Sequence, residues 1–283
     1  MGRRLIGTLV AAFVLTGAAA ASPASDAVRY LESRQHADGG FAEPGRAPTP
    51  GLTAWAVIGL RAAGRPPAAL EEARAYLERS EAALVTATDV EMALVAHAAV
   101  GRSAPQLVRR LRAMEREGGL IGSTLNATIW GVIALRAAGE DVRPATVRTL
   151  LRAQRPSGGW GWSQRAAPDS NDTAAAIQAL RAVAVRGRPI ERGLAFLARH
   201  RNRDGGFELG AGRGSDAQST AWAIQAYVAA GRRPPASAFA YLRRLQRADG
   251  SVRYSARYGV TPVWVTSQVL AALARKPFPL RPG

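Results

Sequence analysis

Residues 149–160 read TLLRAQRPSGGW, a segment with leucines on one face and arginines on the other that runs into a Gly-Gly turn. The same arrangement returns at 30–41 (YLESRQHADGGF), at 196–207 (FLARHRNRDGGF) and at 241–252 (YLRRLQRADGSV), with a degenerate copy at 110–121 (RLRAMEREGGLI). Self-similarity at a fixed period sets the architecture before local propensities are weighed.

A more apolar segment follows each turn, as in TAWAVIGLRAAG (53–64), NATIWGVIALRAAG (126–139) and STAWAIQAYVAAG (219–231). Gly64, Gly101, Gly139, Gly187 and Gly231 stand where a helix C′ residue takes a left-handed conformation, and Pro66, Pro105, Pro144, Pro189 and Pro234 follow to open the next helix. The first helix of each unit is charged on one face, whereas the second is apolar nearly all round. A helix apolar on every side has to be surrounded by protein. The spacing therefore predicts an all-α protein of six helical hairpins, with the second helices as an inner layer and the first as an outer one. An open solenoid needs polar capping repeats. The last unit is as apolar as the middle ones, so the expectation is a closed double-layered ring, an α6/α6 toroid.

Among the 283 residues, 47% are hydrophobic, which is ample for a core of that size. The net charge of +17 comes almost wholly from arginines scattered along the chain. Without a basic tract the excess reads as solvated surface, and no specific nucleic-acid partner is expected. The absence of cysteine excludes disulfides, thiolate metal sites and a thiol nucleophile. Arg3 and Arg4, the uncharged Leu5–Ala20 run and the small residues after it predict a signal peptide over 1–21 and a secreted or cell-envelope location. No second run of that length occurs, so no transmembrane span is expected in the mature chain. The ring is expected over 26–276, with 277–283 as a C-terminal tail.

The turn Gln154-Arg155-Pro156-Ser157-Gly158-Gly159-Trp160 resembles the QW motif, Gln-x3-Gly-x-Trp, of squalene and oxidosqualene cyclases, and Gln35–Phe41 and Gln246–Val252 are similar with a substituted last residue. The resemblance covers the ring and implies the α/α toroid of terpenoid cyclases and protein prenyltransferases. Asp169-Ser170-Asn171-Asp172-Thr173-Ala174 looks like the Asp-x-Asp-Asp-Thr-Ala motif with which such cyclases protonate an alkene, but Asn171 takes the place of the family's proton donor. Asp216-Ala217-Gln218-Ser219-Thr220-Ala221 repeats the pattern one unit later. A repeated feature reads as structural, so these acids are expected to cap inner helices, with NH donors lowering their pKa. The second helical domain of those cyclases has no counterpart here. The prenyltransferase zinc site needs a cysteine, and His36, His97 and His200 have no metal-ligand spacing. The resemblance is then nearest to exported, transcobalamin-like rings that bind a ligand at the mouth.

The inner helices should begin at one rim, where Asn126, Asp169, Asn171, Asp172, Asp216 and Gln218 collect, with Trp160 and Trp162 in a loop beside them. These are the candidate ligand-binding residues; no catalytic residue, metal or cofactor is expected. Trp55, Trp130, Trp222 and Trp264 are expected at equivalent steps of four inner helices, as packing between layers or as an aromatic lining. The resulting expectation is a non-catalytic binder of a lipophilic or planar molecule, or of a cell-envelope component. The alternatives are a single-domain terpenoid cyclase or prenyltransferase-like enzyme, and a structural or interaction module of the envelope. An enzyme should show a buried carboxylate that caps nothing.

Overall fold

The computed structural model describes residues 22–280, so the expected signal segment and the last residues of the tail lie outside it. Six outer helices, Pro23–Glu32 (α1), Glu71–Arg79 (α3), Pro105–Ala113 (α5), Pro144–Arg152 (α7), Arg188–Arg199 (α9) and Ala236–Leu245 (α11), alternate along the chain with six inner ones. The inner helices are Pro50–Ala62 (α2), Ala87–Ala99 (α4), Leu125–Ala137 (α6), Ser170–Ala182 (α8), Ala217–Ala229 (α10) and Pro262–Leu273 (α12). Among the described residues the only sheet is a two-residue hairpin, Phe207–Glu208 (β1) with Ser215–Asp216 (β2).

Each inner helix packs on the next, from α2 through α12, and α12 packs back on α2. The ring is therefore closed, as the lack of polar end repeats predicts. Two polar contacts fasten the seam. Gln246 Nε2 donates to the Pro23 carbonyl at 2.7 Å. The Glu43 carboxylate accepts the Val263 and Trp264 amides at 3.0 and 2.9 Å, capping α12 from the far end of the sequence. The other inner helices are capped locally by Thr49, Thr86, Thr124, Asp169 and Asp216.

The repeated turns explain why the two layers stay in register. In five units a threonine Oγ1 of the inner helix (Thr53, Thr128, Thr173, Thr220, Thr266) accepts the backbone NH that ends the turn, at 2.9–3.0 Å. Gln154 Nε2 donates to the Gly158 and Pro189 carbonyls, joining its own turn to the next outer helix. Gly158, at φ +95°, sits so close to that helix that a Cβ would lie 2.4 Å from the Arg192 oxygen.

One expected helix end differs. Gly187 precedes α9 as its N-cap, and Ala184 takes the left-handed position after α8 at φ 62°. No described helix is long and apolar enough to cross a membrane.

Candidate functional site

The five anchoring threonines give a common register for the inner helices, and the N-cap Thr86 extends it to α4. Two residues beyond the anchor lie Trp55, Met92, Trp130, Ala175, Trp222 and Gln268. Trp55, Trp130 and Trp222 belong to alternate helices of the ring, yet their centroids lie 5.4–6.2 Å apart. Side chains from α2, α6 and α10 can meet so closely only on the ring axis, so this register faces the lumen. Phe278 enters from the opposite end and packs on Trp55 and Trp130 at 6.1 and 5.7 Å. Its amide donates to Gln178 Oε1 at 2.8 Å, and Gln225 Nε2 donates to the Lys276 carbonyl at 3.0 Å. At this level the lumen is thus occupied by aromatic rings that pack on one another. Trp264 lies four residues earlier than the position that Trp55, Trp130 and Trp222 share. It belongs to the rim and not to the aromatic cluster, which corrects its expected equivalence to the other three.

The rim is polar. Asp169 caps α8, its Oδ1 accepting the Asp172 amide at 2.8 Å. Asp172 caps nothing. The residue is 5% exposed, and its carboxylate takes one hydrogen bond, from Asn126 Nδ2 of α6 at 2.6 Å. Burial, reinforced by the neighbouring Asp169 carboxyl, pushes Asp172 up to about 8, against which the Asn126 hydrogen bond acts weakly. This corrects the expectation that Asp172 is a capping carboxylate with a lowered pKa. The cap is the residue three positions earlier, and burial outweighs the one donor that Asp172 has. Burial and the adjacent Asp169 carboxyl thus favour its protonated form.

The remaining candidates separate. Asn171 stands at the rim beside Asp172, with a buried Oδ1 that has no partner. Gln218 holds the equivalent rim position on α10. Asp216 turns away from this group. Its two oxygens accept the Ser219 amide and hydroxyl at 2.7 and 2.8 Å, and it lines a separate cavity of about 510 Å³ with Arg213, Tyr241 and Tyr254. Burial lifts Asp216 to about 6, while the Ser219 donors hold it down. Trp160 is not at the mouth at all. Fully buried between layers, it donates from Nε1 to the Leu150 carbonyl at 2.7 Å. Trp162 is exposed, and its carbonyl accepts the Asn126 amide at 3.0 Å.

Two lumen residues, Gln268 and Phe278, escape the sequence reading as site residues. Gln268 occupies a tryptophan position, a substitution visible once the strings Thr53-Ala54-Trp55 and Thr266-Ser267-Gln268 are aligned on threonine. Phe278 lies in the segment expected to be tail. Glu91, near the start of α4, is fully buried with both oxygens unpartnered, and burial raises its pKa well above the ordinary value. Among the described residues no three His, Asp or Glu side chains are grouped as metal ligands.

Comparison with known proteins places this geometry. The chain is 38% identical over 127 residues to drimenyl diphosphate synthase from Streptomyces showdoensis. That match spans 40% of this chain but only 23% of the relative's length. A variant of the type II terpene cyclase MstE from Scytonema, in complex with geranylgeranyl dihydroxybenzoate, superposes with a TM-score of 0.70 at 18% identity, covering 89% of this chain and 96% of the cyclase. The ent-copalyl diphosphate synthase from Streptomyces platensis gives a TM-score of 0.55 at 21% identity, over 80% of this chain and 50% of that one. At these identities the two structures speak to the fold.

Two expectations are corrected here. A solved terpene cyclase is covered over 96% of its chain by this one ring, so the comparison with two-domain cyclases does not decide against the cyclase fold. The non-catalytic binder does not stand either. The relatives named above are cyclases and synthases, which speaks against a non-catalytic binder. The domain family described as the prenyltransferase alpha-alpha toroid matches residues 3–84 and 120–258, and this chain belongs to it.

Proposed function

We propose that the protein is a single-ring terpene cyclase that starts its reaction by protonating an alkene of an isoprenoid chain, with Asp172 as the acid. The observation that carries this reading is the Asp172 carboxyl itself: buried at the rim, free of the cap, and pushed up to about 8 by burial and by Asp169. Alkene protonation needs a carboxylic acid that keeps its proton near neutral pH and is held in place. Asn126 orients one oxygen of Asp172, which leaves the other for the proton that is transferred. The Asp169 carboxyl, fixed by the α8 cap, disfavours a second negative charge at the rim and so keeps Asp172 protonated. Asn171 fills the place of the family's donor, and the acid's role moves one residue along the helix.

Protonation leaves a positive charge on the chain. The floor of the mouth presents the rings of Trp55, Trp130 and Trp222, whose faces attract cations by about 0.5–2 kcal/mol each when water is excluded. An apolar floor also keeps bulk water from the cation before rings close. Similarity to enzymes named for drimenyl and copalyl diphosphates, and to a cyclase that holds a geranylgeranyl compound, supports a linear isoprenoid as the substrate class.

The test is incubation of the purified chain with farnesyl diphosphate and with geranylgeranyl diphosphate, followed by mass-spectrometric analysis of the dephosphorylated products. A cyclic terpenoid from either is expected. Recovery of only the linear alcohols, from protein shown to be folded, would contradict the reading.

The expected export of the chain belongs with this proposal. A signal segment would deliver the enzyme to the envelope. Finding the chain with an intact Met1 start in the cytoplasm of its host would refute that part alone.

A further inference from the structure

The six lumen-facing positions at the floor of the mouth are Trp55, Met92, Trp130, Ala175, Trp222 and Gln268. Five present apolar or aromatic surface, and the sixth is an amide. Gln268 is 1% exposed, and neither its Oε1 nor its Nε2 has a hydrogen-bond partner in the protein. Buried amides are nearly always satisfied, so one with both ends open has a reason to be there.

Its surroundings are fixed by the ring. The helix that carries Gln268, α12, lies between α2 and α10. Gln268 therefore stands at the same level as Trp55 on one side and Trp222 on the other, two rings that stack at 6.2 Å. Trp222 Nε1 is itself buried without a partner. A donor on α10 and an amide on α12 thus sit at one level of neighbouring helices, in a floor that is otherwise apolar.

We propose that Gln268 and Trp222 Nε1 hold a water molecule at the floor of the mouth, and that this water adds to the ring-closed cation, so that the product is a cyclic alcohol. The inference rests on the proposed cyclase reading and deepens it by naming the second reactant. Gln268 Oε1 accepts one water O–H, and Nε2 or the Trp222 indole donates to one oxygen lone pair. The other lone pair faces the substrate. The steps balance without an oxidant. The Asp172 O–H bond breaks and a C–H bond forms from an alkene electron pair. Further alkene pairs form the ring C–C bonds. The water lone pair forms the final C–O bond, its surplus proton leaves to solvent, and Asp172 is reprotonated from solvent. The sum is substrate plus water. Without a positioned water the cation ends by losing a proton, and the product is an alkene.

Gln268 is a positioning residue in this account, and product identity reads its role directly. The experiment runs the whole chain with farnesyl and geranylgeranyl diphosphates in H₂¹⁸O. The wild type is expected to give a cyclic alcohol carrying one ¹⁸O on a ring carbon. Gln268→Leu is expected to move the alcohol-to-alkene ratio among the cyclic products toward alkene by about tenfold, the equivalent of one hydrogen bond. Gln268→Asn, which keeps the amide, should restore part of the alcohol. Cyclic products without ¹⁸O, or an unchanged ratio in Gln268→Leu, would overturn the water site and leave the acid standing. Absence of any cyclic product would overturn both.

Discussion

At the start of α8 the chain reads Asp169-Ser170-Asn171-Asp172-Thr173-Ala174, and at the start of α10 it reads Asp216-Ala217-Gln218-Ser219-Thr220-Ala221. Both first acids cap their helix, and both threonines anchor a turn. The fourth residue differs. Ser219 closes back on its own cap, giving its hydroxyl to Asp216 at 2.8 Å. Asp172 reaches across to Asn126 on the neighbouring helix instead, where burial works against its charged form. A repeat protein makes the same cap many times, so chemistry shows where one unit stops folding back on itself. Asp216 keeps two donors and rises only to about 6; Asp172 keeps one and rises to about 8.

The contrast can be broken by exchanging functions. Asp172→Asn should lower cyclisation by about 10²–10⁴-fold, the usual worth of a general acid, while leaving the melting temperature at pH 7 unchanged or higher. Asp216→Asn should leave turnover nearly intact. If steady-state rates show the two variants equally impaired, the difference between the helix starts carries no catalysis.

The pH dependence sharpens it. The folded value of Asp172, about 8, stands above its ordinary 3.8, so the native state keeps a proton that the unfolded chain releases. Stability from this group is full below about pH 4 and drains as pH rises toward 8, by at most about 1.4 kcal/mol per unit. Turnover should fall above about pH 8 for the same reason. Melting curves from pH 5 to 9 should be flatter for Asp172→Asn than for the wild type. Glu91 is raised in the same direction, so Glu91→Leu should flatten the curve too.

A cap's worth is smaller. Asp216→Ala should cost about 1 kcal/mol in denaturant unfolding, as lost N-caps do. The smallest effect belongs to Asn126→Ala. Its hydrogen bond lowers the Asp172 pKa, so its loss should move the alkaline limb of the rate profile slightly upward while misplacing the acid.

The ring is legible in the sequence because its causes are local. Gly-Gly turns, prolines at helix starts and helices apolar all round recur in each unit, and closure follows from the apolar last unit. Asp172 is not legible in the same way, because a carboxylate three residues into a helix and one at its cap look alike in a string. What separates them is Asn126, 46 positions away in the chain. Nearness in sequence puts Trp160 at the mouth, whereas its indole reaches back to Leu150 between the layers. Phe278 reads as tail because nothing local announces that a short apolar segment will fill a lumen built by other units. Gln268 is hidden by Trp264, one turn earlier, which a match on residue type takes as the repeat equivalent in its place.

Running the reaction in D₂O tests the central claim most directly. If Asp172 protonates the alkene, its exchangeable proton becomes a carbon-bound deuterium. The wild-type cyclic product should then carry one deuterium at the carbon where cyclisation began, and Asp172→Asn should yield neither the product nor the label. A cyclic product made by Asp172→Asn at the wild-type rate, with deuterium still in place, would contradict the assignment of the acid.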